Sequence, residues 1–356
     1  MLRLFSLFLL GAAIAINYYF SSSRIMPHQT NERTQFYLFG SPIQHSLSPA
    51  FHNTLFEALS LPNHSYSLHE RPTFSSDAST LSLLRDPRFG SAAVTMPHKL
   101  DALSLMDSLG DEVKEIGSMN TIVVLRNGQL EGRNTDSTGI RNALLSTLPA
   151  AQREAEHPWR TETGSPSGAS AVVIGGGGAT RAAIYALSKM NLSPIYILNR
   201  DPLETRAMID SFPQYQLVAL EDEEQWNEEE AEKCKVIVGA IPSMEPQTEG
   251  EKMVYRVAEK VFRLGDGKER KFLDMAYKPH VTKMIAIARR HNWITIGGIE
   301  ALVHQALAQQ SYWLLDPRAM TYLPEVAQKG LLNETVFEIA AGEVRSKAGV
   351  PSSSVA

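Results

Sequence analysis

Cysteine is all but absent: Cys234 is the one thiol in 356 residues. No internal disulfide and no cysteine-rich zinc site can form, and nothing favours an oxidising compartment. A basic surplus is missing too. Lys+Arg 34 against Asp+Glu 39 gives a net charge of −5, whereas a nucleic-acid binder needs a basic stripe to meet phosphates. No internal repeat is visible, and the composition excludes collagen, coiled coil, disulfide scaffold and polytopic membrane protein. What is present is ordinary globular material, 43% hydrophobic and 21% charged with Gly 23 and Pro 19. The length predicts about two domains.

One long apolar run stands at the start, from Leu4 to Phe20, followed by Ser21-Ser22-Ser23-Arg24. A spanning helix wants about 20 apolar residues, roughly 17 at the least, and Asn17 interrupts the end of this run. Three readings compete: a membrane anchor through residues 4–20, a signal peptide, or an extension absent from a protein starting at Met26. Residues 1–33 carry no chemistry on any of them, and the catalytic part is expected in the cytoplasm.

From Phe36 onward, short β-rich runs alternate with helical patterns, which predicts an α/β fold over a largely parallel sheet. Phe36 to Phe39 reads as a strand, and Ser48-Pro49 as a helix start with Ser48 at the N-cap. Ala92 to Thr95 reads as a second strand. Leu100, Leu103, Met106 and Leu109 give a helical stripe. Thr121 to Leu125, Asn127-Gly128 and Gln129 to Gly132 predict a hairpin. Ala151 to Ser170 is polar and reads as an insertion or linker. Later strands are expected at 171–174, 195–198, 236–238, 271–273 and 293–296. The acidic run Glu221 to Glu232 reads as a solvated helix face.

Val172-Val173-Ile174-Gly175-Gly176-Gly177-Gly178-Ala179-Thr180-Arg181 is a strand, a glycine turn and a helix start. Such a turn lets a pyrophosphate approach backbone N–H groups at the positive end of a helix. Gly175 and Gly177 fit the first two glycines of the dinucleotide pattern, but Thr180 stands at its third position. The next strand ends in Leu198-Asn199-Arg200-Asp201. Arg200 favours a 2′-phosphate and hence NADP, while Asp201 would repel one; NAD stays as the alternative.

Three polar clusters interrupt the first half: His45 to Ser48, Val94 to Lys99, and Met119 to Thr121 with Asn134 to Asp136. Each could be turn and cap chemistry alone. Lys99 resists that reading, because a cation in the first turn of the expected helix opposes its dipole. Lys99 with Asp136 could move the proton that accompanies hydride transfer between an alcohol and nicotinamide, without metal.

These blocks together resemble the shikimate dehydrogenase family, with its quinate dehydrogenase relatives. Gly40 to Pro49, Val94 to Lys99, Gly117 to Thr121, Asn134 to Asp136, the glycine loop, Asn199-Arg200, Asp274 to Pro279 and Leu302 to Gln305 occur in family order. The match spans about Phe36 to Trp313. The resemblance implies an N-terminal α/β substrate domain (34–138), a Rossmann-like NAD(P) domain (139–298) and C-terminal helices (299–345) returning to the first domain. Residues 346–356 would form a tail. It also implies roles. Lys99 would be the general acid/base with Asp136 as partner, titrating as a coupled pair. Ser46, Ser48, Thr95, Asn120, Tyr277 and Gln305 would hold the substrate, and Asp136 would also contact it. Gly175, Gly176, Gly177, Gly178 and Ala179 would take the pyrophosphate, and Arg181 would also belong to the cofactor site. Asn199 and Arg200 would meet the adenosine end, and Met275 and Gly298 would lie near the nicotinamide.

Some positions depart from the family pattern. His98 stands where an apolar residue is usual and reads as a packing residue, since no second ligand has metal spacing. Met119 replaces a more usual Val, and Glu300-Ala301 stands where Gly-Met is frequent. The expected activity is NADP-dependent oxidation of the shikimate C3 hydroxyl to 3-dehydroshikimate. Quinate oxidation to 3-dehydroquinate is the alternative, and the paired Ser46 and Ser48 favour shikimate. A non-catalytic metabolite sensor is the reading from another class. It should have lost the Lys/Asp pair or the loop, and this sequence retains both.

Overall fold

The computed structural model describes residues 34–149, 153, 168–265, 270–330 and 332–350. The apolar run 4–20, nearly all of the expected insertion and the last six residues lie outside the described residues. Among the described residues, no helix is long and apolar enough to cross a membrane.

The first half builds a mixed sheet from β1 (Thr34–Gly40), β2 (His64–Glu70), β3 (Phe89–Val94), β4 (Ser108–Leu109), β5 (Thr121–Val124) and β6 (Leu130–Arg133). The order is β2-β1-β3-β5-β6-β4. Alternation along a strand sends neighbours to opposite faces. Phe36 and Leu38 therefore enter one core, and Tyr37 and Phe39 the other. The expected hairpin is β5 and β6, antiparallel, with Thr121 opposite Arg133.

The second half builds β7 (Ser170–Ile174), β8 (Ile195–Leu198), β9 (Leu217–Ala219), β10 (Cys234–Gly239), β11 (Lys271–Asp274) and β12 (Ile294–Ile296). The order is β12-β11-β10-β7-β8-β9, and every pairing is parallel. Counted within this sheet the order is 6-5-4-1-2-3, the doubly wound dinucleotide arrangement, and it reverses between β7 and β10. Ala171 and Val173 bury on one face, Val172 and Ile174 on the other. Both faces being covered, these strands read as continuous apolar runs.

The helices that matter for the site are α1 (Ser48–Ala58), α2 (Asp136–Ser146), α3 (Gly178–Lys189), α4 (Glu249–Leu264), α5 (Lys283–Arg290), α6 (Gly298–Gln310) and α7 (Glu334–Lys347). α2 packs against both α3 and α6, and the expected domain boundary at 138/139 falls inside it. Helix α6 serves two cores: Ala301 joins that of the parallel sheet, while Ile299, Val303 and Ala306 join that of the mixed sheet. Phe337, Ala340, Ala341 and Val344 of α7 enter that second core against α1. The fold is thus a two-domain α/β architecture whose C-terminal helices return to the first domain.

Two local expectations need correction. The stripe Leu100 to Leu109 is not a helix: a five-residue 3-10 turn covers Asp101–Leu105, and Ser108–Leu109 joins the sheet beside β6. The Asp107 N–H donates to the Leu130 carbonyl at 2.9 Å, so strand pairing takes the backbone that a helix would use. Lys99 consequently sits in a turn before the 3-10 segment, and the helix-dipole argument for it lapses. Ser48 is likewise not the N-cap. Leu47 holds that position without a side-chain cap, and the Ser48 N–H donates to Ser46 Oγ at 3.3 Å.

Candidate active site

The turn after β3 carries Lys99, and the start of α2 carries Asp136; their side chains form an ion pair. Asn134 holds the carboxylate end of α2 in place, its Oδ1 accepting the Asp136 N–H at 3.1 Å. An acidic residue in a first helical turn suits the dipole. Asn120 Nδ2 donates to Asp136 Oδ1 at 2.9 Å, which leaves Oδ2 to Lys99. The same amide reaches Thr135 Oγ1 at 3.0 Å and Gln305 Oε1 at 3.1 Å. Lys99, Asn120, Asp136 and Gln305 are thereby one hydrogen-bonded group, drawn from four segments far apart in sequence.

Thr135 and Gln309 complete this group and were not singled out from the sequence. Thr135 Oγ1 donates to Gln305 Oε1 at 3.1 Å, and Gln309 Nε2 donates to Thr121 Oγ1 at 3.1 Å. The available signal was the i, i+4 spacing of Gln305 and Gln309 on an otherwise apolar helix face.

A second group stands on the loop before α1. Ser46 Oγ donates to Ser48 Oγ at 3.3 Å, and the half-buried Tyr277 phenol meets the Ser46 side chain and the Leu47 backbone. Burial pushes that phenol above its ordinary pKa, so it remains a neutral donor. Thr95 closes the end of β3, its N–H bonded to the Phe39 carbonyl at 2.8 Å. Among the described residues, no group of three or more His, Cys, Asp or Glu could hold a metal.

The glycine turn lies at the point where the parallel sheet reverses its order. Gly175 has φ +138, a conformation few side chains adopt, and a Cβ at Gly176 would lie 2.5 Å from Asn199 Nδ2. Gly177 is the N-cap of α3 and offers no side chain, so the first turn keeps N–H groups for an anion. Of the four glycines only Gly177 faces open space, with nothing within 4 Å of a Cβ built there. The turn also touches the polar group just described: a Cβ at Gly178 would lie 3.3 Å from Lys99 Cβ.

At the far end of β8, Asn199 Nδ2 donates to Glu204 Oε2 at 3.2 Å, and Arg200 Nη1 to Glu251 Oε1 at 2.6 Å. Asp201 caps the helix Pro202–Asp210, its Oδ1 accepting the Leu203 N–H at 2.8 Å. Met275 N–H donates to the Gly239 carbonyl at 2.7 Å, and Gly298 packs on the Met275 carbonyl. Arg181 points elsewhere. Its Nε donates to the Ile116 carbonyl at 2.6 Å and its guanidinium lies over Phe212, 4.9 Å from the ring centre.

The departures from the family pattern have structural partners. His98 is buried beside Phe74 with Nε2 2.8 Å from the Arg71 carbonyl, and Met119 lies in the core of the mixed sheet. Glu300 accepts Arg345 Nε at 3.0 Å and Nη2 at 2.9 Å, tying α6 to α7.

Comparison with known proteins agrees with the fold. Residues 38–122 match the family described as the shikimate dehydrogenase substrate binding domain. A Schizosaccharomyces pombe dehydroquinate dehydratase and shikimate dehydrogenase is 31% identical, with a TM-score of 0.65 over 90% of this chain. The chain spans about half of that protein, 54% of its length. Shikimate dehydrogenase from Aquifex aeolicus is 25% identical with a TM-score of 0.66, covering 89% of this chain and 99% of that one. Shikimate 5-dehydrogenase from Thermus thermophilus, in complex with NADP(H) and shikimate, is 26% identical with a TM-score of 0.62, covering 87% and 99%.

Proposed function

Because the chain belongs to the shikimate dehydrogenase family, we propose that it oxidises the C3 hydroxyl of shikimate to 3-dehydroshikimate, reversibly and with NADP. The observation that carries this reading is the Lys99–Asp136 pair, steadied by Asn120 and seated against the start of α3. When bound, the nicotinamide supplies the acceptor for the two electrons and hydrogen that leave C3.

The chain's own residues handle the rest. Ser46, Ser48 and Tyr277 bind the carboxylate, and Thr95, Asn120 and Gln305 read the ring hydroxyls. The Lys99–Asp136 pair takes the proton from the C3 oxygen during oxidation and returns it during reduction. Gly175 to Ala179 take the pyrophosphate on the first turn of α3. Asn199 and Arg200 lie at the adenosine end, where an arginine accommodates a 2′-phosphate. NADP in the Thermus relative's complex supports the same choice.

The test is nicotinamide absorbance with shikimate and quinate, each paired with NADP and NAD. Dominant shikimate/NADP turnover is expected. Dominant quinate turnover would install the quinate reading, and no turnover in a folded, ligand-binding protein would favour the sensor. Lys99→Ala should lower kcat by at least about a hundredfold, the scale of general acid–base help. Dinucleotide affinity should hold. Unchanged kcat would remove Lys99 from the mechanism.

A further inference from the structure

Arg200, the residue placed to meet a 2′-phosphate, is already engaged. Its partner Glu251 is the third residue of α4, where its other oxygen accepts the Gln247 and Thr248 N–H groups at 2.8 and 3.1 Å. With Thr248 Oγ1 accepting the Glu251 N–H at 3.2 Å, this is a capping box. The carboxylate is therefore part of the helix start. Gly250 packs so closely on Arg200 that a Cβ there would lie 2.5 Å from the Arg200 carbonyl oxygen, which fixes the start of α4 against the end of β8. The other two acids nearby have separate partners: Asp201 caps its own helix and Glu204 bonds Asn199.

We propose that Glu251 sets the dinucleotide selectivity of this chain: as a built-in rival for the Arg200 guanidinium, it weakens NADP binding and leaves NAD binding untouched. The proposal rests on the dinucleotide reading above and deepens it. A 2′-phosphate must share or displace an acceptor that Arg200 already has, and it meets the Glu251 charge at short range. A 2′-hydroxyl makes neither demand. Two backbone N–H groups, with Arg200 adding to them, hold the Glu251 carboxyl down at about 2, so the rival stays charged at working pH.

Glu251→Gln separates the rivalry from the helix cap, since glutamine serves the capping box as glutamate does. NADP and NAD are titrated calorimetrically into the full-length wild type and variant, without substrate, with unfolding midpoints recorded alongside. The NADP Kd is expected to fall about threefold to fivefold, the upper end of the scale of one exposed charge pair, with the NAD Kd unchanged within about twofold. A tighter Kd cannot arise from a damaged fold. An unchanged NADP Kd, or equal shifts for both dinucleotides, overturns the role of Glu251. A wild type that binds neither dinucleotide overturns the dinucleotide reading itself, and this inference with it.

Discussion

Asp274 ends β11 as a buried acid whose bonded partners are neutral: Thr282 Oγ1 at 2.5 Å and the Ala276 N–H at 3.1 Å. Burial pushes its carboxyl up to about 6, with both bonds pulling the other way. A raised carboxyl contributes stability that is fully present below its ordinary value of 3.8 and lost as pH rises through 6. Ionising it therefore costs the folded state up to about 3 kcal/mol at neutral pH. Asp274→Asn removes that penalty and weakens one hydrogen bond, at roughly 1 kcal/mol independent of pH. Thermal midpoints of variant and wild type, compared from pH 4.5 to 7.5, should move in the variant's favour as pH rises. A difference that stays flat with pH would mean that Asp274 titrates in the fold as it does in the unfolded chain, and that burial does not raise its carboxyl. Thr282 also caps α5, accepting the Ile285 N–H at 3.0 Å. The carboxylate thus anchors the segment that carries Met275 and Tyr277.

At the level of elements, the contact of α2 with α6 brings Asp136 and Gln305 to one place. Gly139 permits it: a Cβ there would lie 2.5 Å from the Ala301 carbonyl oxygen and 2.8 Å from Gln305 Cβ. Inside an ordinary helix, alanine is about 1 kcal/mol better than glycine. Here the obstacle is backbone, and overpacking costs typically 1–3 kcal/mol. Gly139→Ala should lower unfolding stability in urea and raise the substrate KM, because Gln305 moves away from Asn120. A stabilised variant with unchanged KM would show that the two helices have slack. Whether an element could be read from sequence followed its burial. Strands 171–174 and 236–238 are covered on both faces and were plain, whereas β2 (His64–Glu70), at a sheet edge and largely polar, gave no apolar run, and β9 (Leu217–Ala219), also at an edge, is only three residues long and partly exposed. The stripe Leu100 to Leu109 misled because a compact 3-10 turn and a short strand pack Leu103, Met106 and Leu109 against one core as a helix would, while Leu100 stays exposed. Lys99, Asp136 and the glycine turn were legible as motifs. Thr135, Gln309 and Glu251 were not, since their partners lie in distant segments.

Across the whole molecule, the two sheets meet where Lys99 faces Gly178, so the spacing of the lobes decides whether a dinucleotide and the acid/base pair share one substrate. Arg181 is the residue placed to set that spacing. From α3 it donates to the carbonyl of Ile116, which ends the helix Asp111–Ile116 four residues before Asn120. Lys189 and Tyr215 join the clasp through Glu115, Lys189 at 3.1 Å. The family resemblance instead puts Arg181 in the cofactor site, where a guanidinium would meet phosphate, and the two roles part in one variant. If Arg181 binds phosphate, Arg181→Ala removes a charged hydrogen bond worth about 1.5–3 kcal/mol, and the Kd of NADP and NAD both rise at least about tenfold. If it clasps the lobes, both Kd values stay within about twofold while kcat falls, because the loop still binds but no longer abuts Lys99. The observed bond to Ile116 makes the second outcome the expected one. Direct titration of each dinucleotide, set beside turnover of the same variant, decides between them, and a rise in both Kd values would return Arg181 to the phosphate.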